Sequence, residues 1–310
     1  MAASTQVITY NTIGIREGLT AQVADLFADE VPFFAMCEKM RVGSTKPEWQ
    51  SDVLASASAT GILEGASITY SQPAVRTRVS NYTMIRLRPF DVTFTQMAVD
   101  VAGIKDSYAR EVMKAMKALA LDYDKIFLAT GDASAGNQSN SARQAEGIQK
   151  AIVTNTAHGS NGASAAAESQ LTEDSVNAVL QKIWTAGGNP RALFCGGYQK
   201  QVISKKFTAK TGFSWNVNAS ARVAIANVNK YEGSFGTVDI IPDRQHMVKR
   251  CTIVTPEQLK CFVLRDMASY KGAPTASSEK GWVEAELSLG WGNELAHGKI
   301  DKLSSTGAIA

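Results

Sequence analysis

The run IKDSYAREVMKAMKALALDYDKIFLAT, residues 104–130, sets the architecture of the chain. Tyr108, Val112, Met116, Leu119, Tyr123 and Phe127 recur every three or four residues and form one apolar stripe of a helix. Lys105, Arg110, Glu111, Lys114, Lys117, Asp122 and Lys125 fall mostly off that stripe, and Glu111 and Lys114 stand at a spacing that allows an ion pair. No Gly or Pro interrupts the run, and Gly131 marks the expected stop. At 1.5 Å per residue such a rod is about 40 Å long, more than a small domain is wide. Two architectures accommodate it: a long helix buried in a large core, or a spine from which other parts project.

Composition bounds the choice. The chain has 310 residues, 45% of them hydrophobic, enough to bury a real core and to make two or three domains. With 32 basic and 29 acidic residues the net charge is +3, which excludes a strongly basic nucleic-acid reader and leaves only weak, local, non-specific contact with DNA. Cys37, Cys195, Cys251 and Cys261 form no C-x-x-C pair and no zinc spacing, so they read as reduced, buried thiols of a cytosolic fold. The start, MAASTQVITYNT, has no signal pattern, and no apolar run reaches the length of a membrane span; no membrane association is expected.

Residues 1–12 read as polar and extended, and Leu19, Val23, Leu26 and Phe27 as a short amphipathic helix. Phe33, Phe34 and Met36 follow Pro32, either as ordinary core or as an arm docking on a neighbour. Residues 42–89 carry Ser, Thr, Ala and Gly throughout and no helical stripe. Ile85 and Leu87 alternate with Arg86 and Arg88, and Gly61 and Gly65 suit a tip, so the segment reads as a long two-stranded arm. Trp49, Ile62, Tyr70, Tyr82 and Met84 make it too apolar for a solvated coil, and a lone hairpin is barely stable in water. Such an arm is expected to lie on another subunit. Residues 91–101 alternate again as a strand, and 131–170 read as loop with one strand or turn at 147–154.

An α/β unit begins at Leu171. Thr172 is the helix N-cap, Glu173 and Asp174 occupy the favoured first turn, and Leu171 and Val176 form a hydrophobic staple. Val176, Val179, Leu180, Ile183 and Trp184 make the buried stripe, ended by Gly187, Gly188 and Pro190. A strand at 192–195, a helix carrying Val202 and Ile203, and strands at 222–228, 237–241, 251–255 and 260–265 follow. Near the end, Ala285, Leu287, Leu289 and Trp291 define the inward face of a half-buried strand.

No reaction centre emerges. His158, His246 and His297 are the three histidines, and no H-E-x-x-H, G-x-S-x-G or phosphate-loop pattern occurs. Cys195 with His246 or His297 as base lacks any local sign of an activated thiol. Gly196 and Gly197 before a helix are more simply a turn than a phosphate cradle. Glu284 and Glu286, about 7 Å apart on one strand face, suit a carboxylate pair but are more simply a solvated face. No catalytic residue, cofactor or metal set is assigned.

Short patterns then occur in a specific order. They are Glu48-Trp49-Gln50-Ser51-Asp52, Glu64-Gly65, Arg78, Asn81, Thr95-Gln96, Gln181-Lys182-Ile183-Trp184, Gly187-Gly188-Asn189-Pro190 and Asn293-Glu294-Leu295-Ala296-His297-Gly298. With the arm and the spine, this order resembles the major capsid proteins of tailed bacteriophages, which have the Hong Kong 97 fold. One departure is Val31-Pro32-Phe33-Phe34, in place of a Thr-Pro-Phe-like turn.

The resemblance implies an α+β fold with an N-terminal arm at 1–41 and a long β-hairpin, the E-loop, at 42–92. It implies a peripheral domain at 93–170 and 259–310 with a spine helix at 104–130, and an axial α/β domain at 171–258. It further implies a virion protein, assembled in the host bacterial cytoplasm, that forms hexamers and pentamers of an icosahedral shell around double-stranded DNA. Scaffolding, portal and decoration proteins are the implied partners. Trp49, Asp52, Glu64, Arg76, Arg78 and Asn81 are the expected assembly contacts. The alternatives are an encapsulin-like compartment and, from another class, a cytosolic hydrolase using Cys195 or the Glu284/Glu286 pair.

Some shells of this fold cross-link an E-loop lysine to a neighbour's asparagine. Here Lys46, at the foot of the arm, is the lysine between Val42 and Pro89, and the tip carries Glu64 but no amine. Arg76 and Arg78 stay protonated and are poor nucleophiles. Boiled, reduced particles are therefore predicted to run as a single band near 33.2 kDa. A ladder of covalent oligomers would contradict this and point to Lys46.

Overall fold

The computed structural model describes residues 30–305, apart from 56, 69, 71–74, 100, 102, 138, 160–167, 211–227 and 275. The sequence-expected helix at 19–27 and most of the strand at 222–228 lie outside the described residues. In chain order come α1 (Pro32–Met36), β1 (Glu38–Arg41), β2 (Glu48–Ser51), β3 (Thr77–Ser80), β4 (Met84–Thr93), α2 (Phe94–Ala98) and α3 (Ser107–Phe127). Then follow α4 (Ile148–Ala151), β5 (Thr156–His158), α5 (Glu173–Thr185), β6 (Ala192–Cys195) and α6 (Gly197–Lys210). The last are β7 (Lys230–Gly233), β8 (Gly236–Pro242), β9 (Cys251–Val254), β10 (Lys260–Lys271), β11 (Ser278–Gly290) and β12 (Gly298–Asp301). They form a four-stranded sheet ordered β1-β10-β11-β4, a six-stranded sheet ordered β5-β12-β9-β6-β8-β7, and the ribbon β2-β3.

The spine is α3. Asp106 caps its start by accepting the Ala109 N–H at 3.0 Å, and Glu111 and Lys114 pair at 2.6 Å. The helix is 21 residues and therefore about 31 Å long, shorter than the periodicity predicts. It stops at Phe127 rather than at Gly131, because Leu128 leaves the helix to bury itself and the Ala129 N–H tightens onto the Ile126 carbonyl at 3.1 Å.

Ala115, Leu119, Tyr123 and Phe127 are buried, while Tyr108, Val112 and Met116 at the amino half are only half-buried. The buried half packs on β11, whose Ala285, Leu287 and Leu289 alternate inward as the period predicts. The Tyr123 hydroxyl donates to the Ala285 carbonyl at 2.7 Å and the Met84 carbonyl at 3.0 Å, so one side chain fastens the spine to β11 and β4 together.

The structure revises several local expectations. Residues 84–93 are a body strand, not the return of the arm: β4 runs antiparallel to β11, with Ile85 opposite Glu286 and Leu87 opposite Glu284. The 91–101 run ends as a strand at Thr93, whose hydroxyl accepts the Gln96 N–H and caps α2. The 260–265 strand extends to Lys271 and leaves the α/β unit for the four-stranded sheet, paired with β1 and β11. Of the strand or turn expected at 147–154, residues 148–151 form a helical turn, with Ile148 and Ala151 buried. β5 and β12, from stretches assigned to the peripheral part, pair in the six-stranded sheet.

Phe33 and Phe34 are core of their own subunit, with Phe33 edge-on to Phe194 at 5.1 Å, and β1 pairs parallel with β10. In α5 the Thr172 cap forms as read, Ser175 completes a capping box with it, and Gly187 at φ +86° closes the end. The Gly188 N–H bonds the Ile183 carbonyl at 2.9 Å and the Gly187 N–H bonds the Trp184 carbonyl at 3.0 Å, the paired bonds of a left-handed glycine cap. Trp184 itself is 61% exposed and lies tilted against Phe235 rather than entering the core. Among the described residues no helix is long and apolar enough to cross a membrane.

Leu119→Asp places a carboxylate on the fully buried part of the spine and is predicted to cost several kcal/mol. Met113→Asp, at a position 62% exposed, is predicted to cost no more than about 1 kcal/mol. Urea unfolding of the two variants checks this; equal losses would mean that another face of the helix is buried.

Candidate assembly surfaces

The arm rises from the body on β2 and β3, which pair antiparallel with Trp49 opposite Val79 and Gln50 opposite Arg78. Trp49 roots it. Its indole N–H donates to the Gly292 carbonyl at 2.7 Å, and its ring meets Trp291 edge-on at 5.0 Å and Phe262 at 5.6 Å. A groove of about 470 Å³ lies alongside, lined by Met40, Pro47, Trp49, Gln258 and Phe262 among others.

Asn81 closes the other side of the root. It is fully buried, its amide donates to the carbonyls of Leu289 at 2.8 Å and Glu146 at 3.1 Å, and its oxygen accepts the N–H groups of Tyr82 and Glu146, both at 2.8 Å. The side chain has no capacity left for another chain.

Above the root, ion pairs bridge the ribbon. Arg76 meets Asp52 at 3.1 Å, and Arg78 meets Glu48 at 3.2 Å; Lys46 also pairs with Glu48, at 3.1 Å. These side chains are largely solvated, so each pair contributes at most about 1 kcal/mol. Glu64 lies on the exposed turn 63–66, where the Ala66 N–H bonds the Leu63 carbonyl at 3.0 Å and Gly65 takes φ +80°. Between ribbon and turn the arm exposes Leu54, Ile62, Leu63, Ile68, Tyr70 and Val75, from 71% to 95%. Thus the structure ties Trp49 and Asn81 to the body, ties Asp52 and Arg76 to each other, and leaves Glu64 at the tip.

The outer face of the four-stranded sheet is the second notable surface. Ile85 and Leu87 are 44% and 49% exposed, while Arg86 and Arg88 turn inward to the spine. Asp122 receives Arg88 through two bonds, at 2.7 and 2.5 Å, and Arg86 at 3.3 Å. The hydrogen bonds that Arg88 donates to Asp122 raise its pKa above the ordinary value. The alternation of 85–88 was visible in the sequence, but not that the charged face is the inner one.

Glu284 and Glu286 are not a solvated face. Glu286 is 4% exposed and accepts from Arg143 at 2.7 Å, Arg265 at 3.1 Å and the Thr83 hydroxyl at 2.8 Å, while Glu284 pairs with Arg265. These arginines neutralise both carboxylates and bind the 131–147 segment to the sheet. Arg143 and Arg265 carried no sequence signal, since they meet Glu286 across 143 and 21 residues.

The candidate thiol chemistry has no activated partner. Burial pushes Cys195 up to about 12. It pushes His246 and His297 down to about 4, and both rings are occupied by hydrogen bonds to Met247, Thr252 and Trp291. All four cysteines are free and buried. Among the described residues no group of three or more His, Cys, Asp or Glu side chains is placed to hold a metal ion.

A spine helix across a four-stranded sheet, a projecting ribbon and a six-stranded α/β part define a Hong Kong 97-type shell protein, and solved structures of that kind are similar along nearly the whole chain. A cyanophage A-1(L) capsid subunit matches with a TM-score of 0.70 at 13% identity, covering 94% of this chain and 98% of that one. The capsid subunit of a native GTA particle matches at 0.61 and 11% identity, covering 96% and 97%. The SrpI encapsulin of Synechococcus elongatus matches at 0.61 and 10% identity, covering 93% of each chain. No curated protein matches the sequence. The family model of the SU10 major capsid protein matches residues 3–304, and the chain belongs to that family.

Proposed function

We propose that this chain, a phage major capsid protein by family, builds an icosahedral shell of hexamers and pentamers around double-stranded DNA, and that its arm clasps a neighbouring copy. The observation that carries the reading is the contrast between a body with a closed core and an arm whose large apolar side chains have none. Leu54, Ile62, Leu63, Ile68, Tyr70 and Val75 gain about 1.5–3 kcal/mol each if fully buried, enough together to offset the cost of ordering and association. The outer face at Ile85 and Leu87 is the receiving surface on the next copy.

In this reading Trp49 and Asn81 aim the arm, while Asp52, Arg76, Arg78 and Glu64 supply the polar rim of the contact. The peripheral part comprises α3 and the four-stranded sheet, together with α1 and β1. The axial part comprises the six-stranded sheet, including β5 and β12. Assembly takes place in the host bacterial cytoplasm, with scaffolding and portal proteins and a decoration protein as partners. The chain performs no catalysis, and its near-neutral charge limits it to weak, non-specific contact with packaged DNA. The encapsulin likeness is one of fold, and no residue described above favours a protein cargo.

The test replaces residues 53–75 by a short Gly-Ser linker, keeping β2, β3 and the Asp52–Arg76 pair. The body is predicted to melt cooperatively within a few degrees of the intact chain, and negative-stain microscopy is predicted to show no closed shells. Closed shells of normal diameter from this variant would sink the proposal.

A further inference from the structure

Two buried carboxyl groups lie where the spine meets the six-stranded sheet. Asp124 comes from α3 and Asp243 from the turn after β8, and they are 0% and 2% exposed. Each has one oxygen fixed by a backbone amide: the Phe34 N–H reaches Asp124 Oδ1 at 2.8 Å, and the Gln245 N–H reaches Asp243 Oδ1 at 2.7 Å. The other oxygen of each, Oδ2, has no donor among the described residues. Asp243 acts on the Asp124 carboxyl both through its charge and as a side-chain hydrogen-bond neighbour. A buried acceptor without a donor is costly, and two adjacent ionised carboxylates are costlier. A single proton held between the two carboxyls meets both demands.

We propose that Asp124 and Asp243 share one proton and so form a latch that holds α1 and the spine against the six-stranded sheet, and that loss of this proton loosens the junction. The groups facing the pair offer no substitute. From α1 come the Phe34 amide and the Cys37 thiol, which burial holds protonated, and beyond it lies Cys261 of β10. From the six-stranded sheet and its loops come Cys195, also protonated, and His246, held neutral by burial. The cations of these elements are engaged elsewhere: Lys39 stands over the Phe34 ring, Lys200 donates to the Val228 and Ile240 carbonyls, and Arg250 pairs with Asp301. What the latch fastens is the segment carrying Phe33, which packs on Phe194 of β6, and Phe34, which packs on Tyr123 and Phe127 of the spine. Its release therefore acts where α1, the spine and the second sheet meet.

The pH direction follows from linkage. Burial raises the Asp124 carboxyl from 3.8 to about 7, the Phe34 N–H opposes this, and the charge of Asp243 adds to it. Because the folded value is the higher one, the stabilisation is complete below the unfolded value and is lost as pH rises through about 7.

The experiment uses the full-length, unassembled chain with carboxyl-labelled aspartate. Isotope-edited infrared spectra of wild type are predicted to show a protonated carboxyl band at about pH 6 that vanishes by about pH 9. Asp243→Asn removes the shared proton, since the new amide donates to Asp124, and the band is predicted to be absent. Hydrogen exchange at Phe34, corrected for its intrinsic pH dependence, is predicted to quicken about tenfold or more over that range in wild type only. A wild type without the band at about pH 6, or Phe34 exchange with the same pH dependence in wild type and Asp243→Asn, would overturn the latch. If Asp243→Asn fails to fold, the wild-type band and wild-type exchange decide the matter alone.

Discussion

The fold depends on closing one strand from every side. β11 pairs with β10 along one edge and with β4 along the other, and its inner face lies under the buried half of the spine. Tyr123 makes this a three-body contact, because its hydroxyl spans carbonyls of both β11 and β4. Phe34 adds the N-terminal segment to the same place through its ring and its amide. On the outer face, Glu286 gathers Arg143, Arg265 and Thr83 over β11. Removing any one of these leaves a buried carbonyl, carboxylate or guanidinium short of a partner, which costs more than the bond itself contributes.

The arm has the opposite condition. Its root is as well satisfied as the body, with Trp49 and Asn81 fully engaged, and its length above the ribbon is not. A two-stranded ribbon cannot bury Leu54, Ile62 or Tyr70 against itself. Physical chemistry thus separates one chain into a part with a closed core and a part whose large apolar side chains are left exposed, which the proposed function completes with a second copy. Membership of a major capsid protein family gives that incompleteness its purpose.

What could be read in the sequence was what depends on local period. The spine stripe, the Asp106 to Phe127 extent within a few residues, the Thr172 cap, the Gly187 stop and the inward face of β11 all follow from spacing and capping chemistry. What could not be read depends on distant partners. The alternation at 85–88 is compatible with either face inward, and Asp122 on the spine reverses the intuitive choice by drawing Arg86 and Arg88 in. Nothing local distinguishes Lys260–Lys271 as a strand of one sheet rather than the other; its register with β11 does. Of the residues singled out for assembly, Trp49 and Asn81 make their observed bonds within the chain, to Gly292, Leu289 and Glu146, partners too distant in sequence to be read locally. The meeting of Asp124 with Asp243, from a turn far along the chain, has no sequence signal.

Hydrogen exchange across the whole chain, compared between free subunits and assembled particles, separates the two parts without altering a residue. The account predicts that peptides from residues 53–75 exchange freely in the free subunit and become strongly protected in the particle, while peptides from α3 and β11 are protected equally in both. Protection of 53–75 already present in the free subunit, or its continued free exchange in closed particles, would contradict an arm completed by its neighbour.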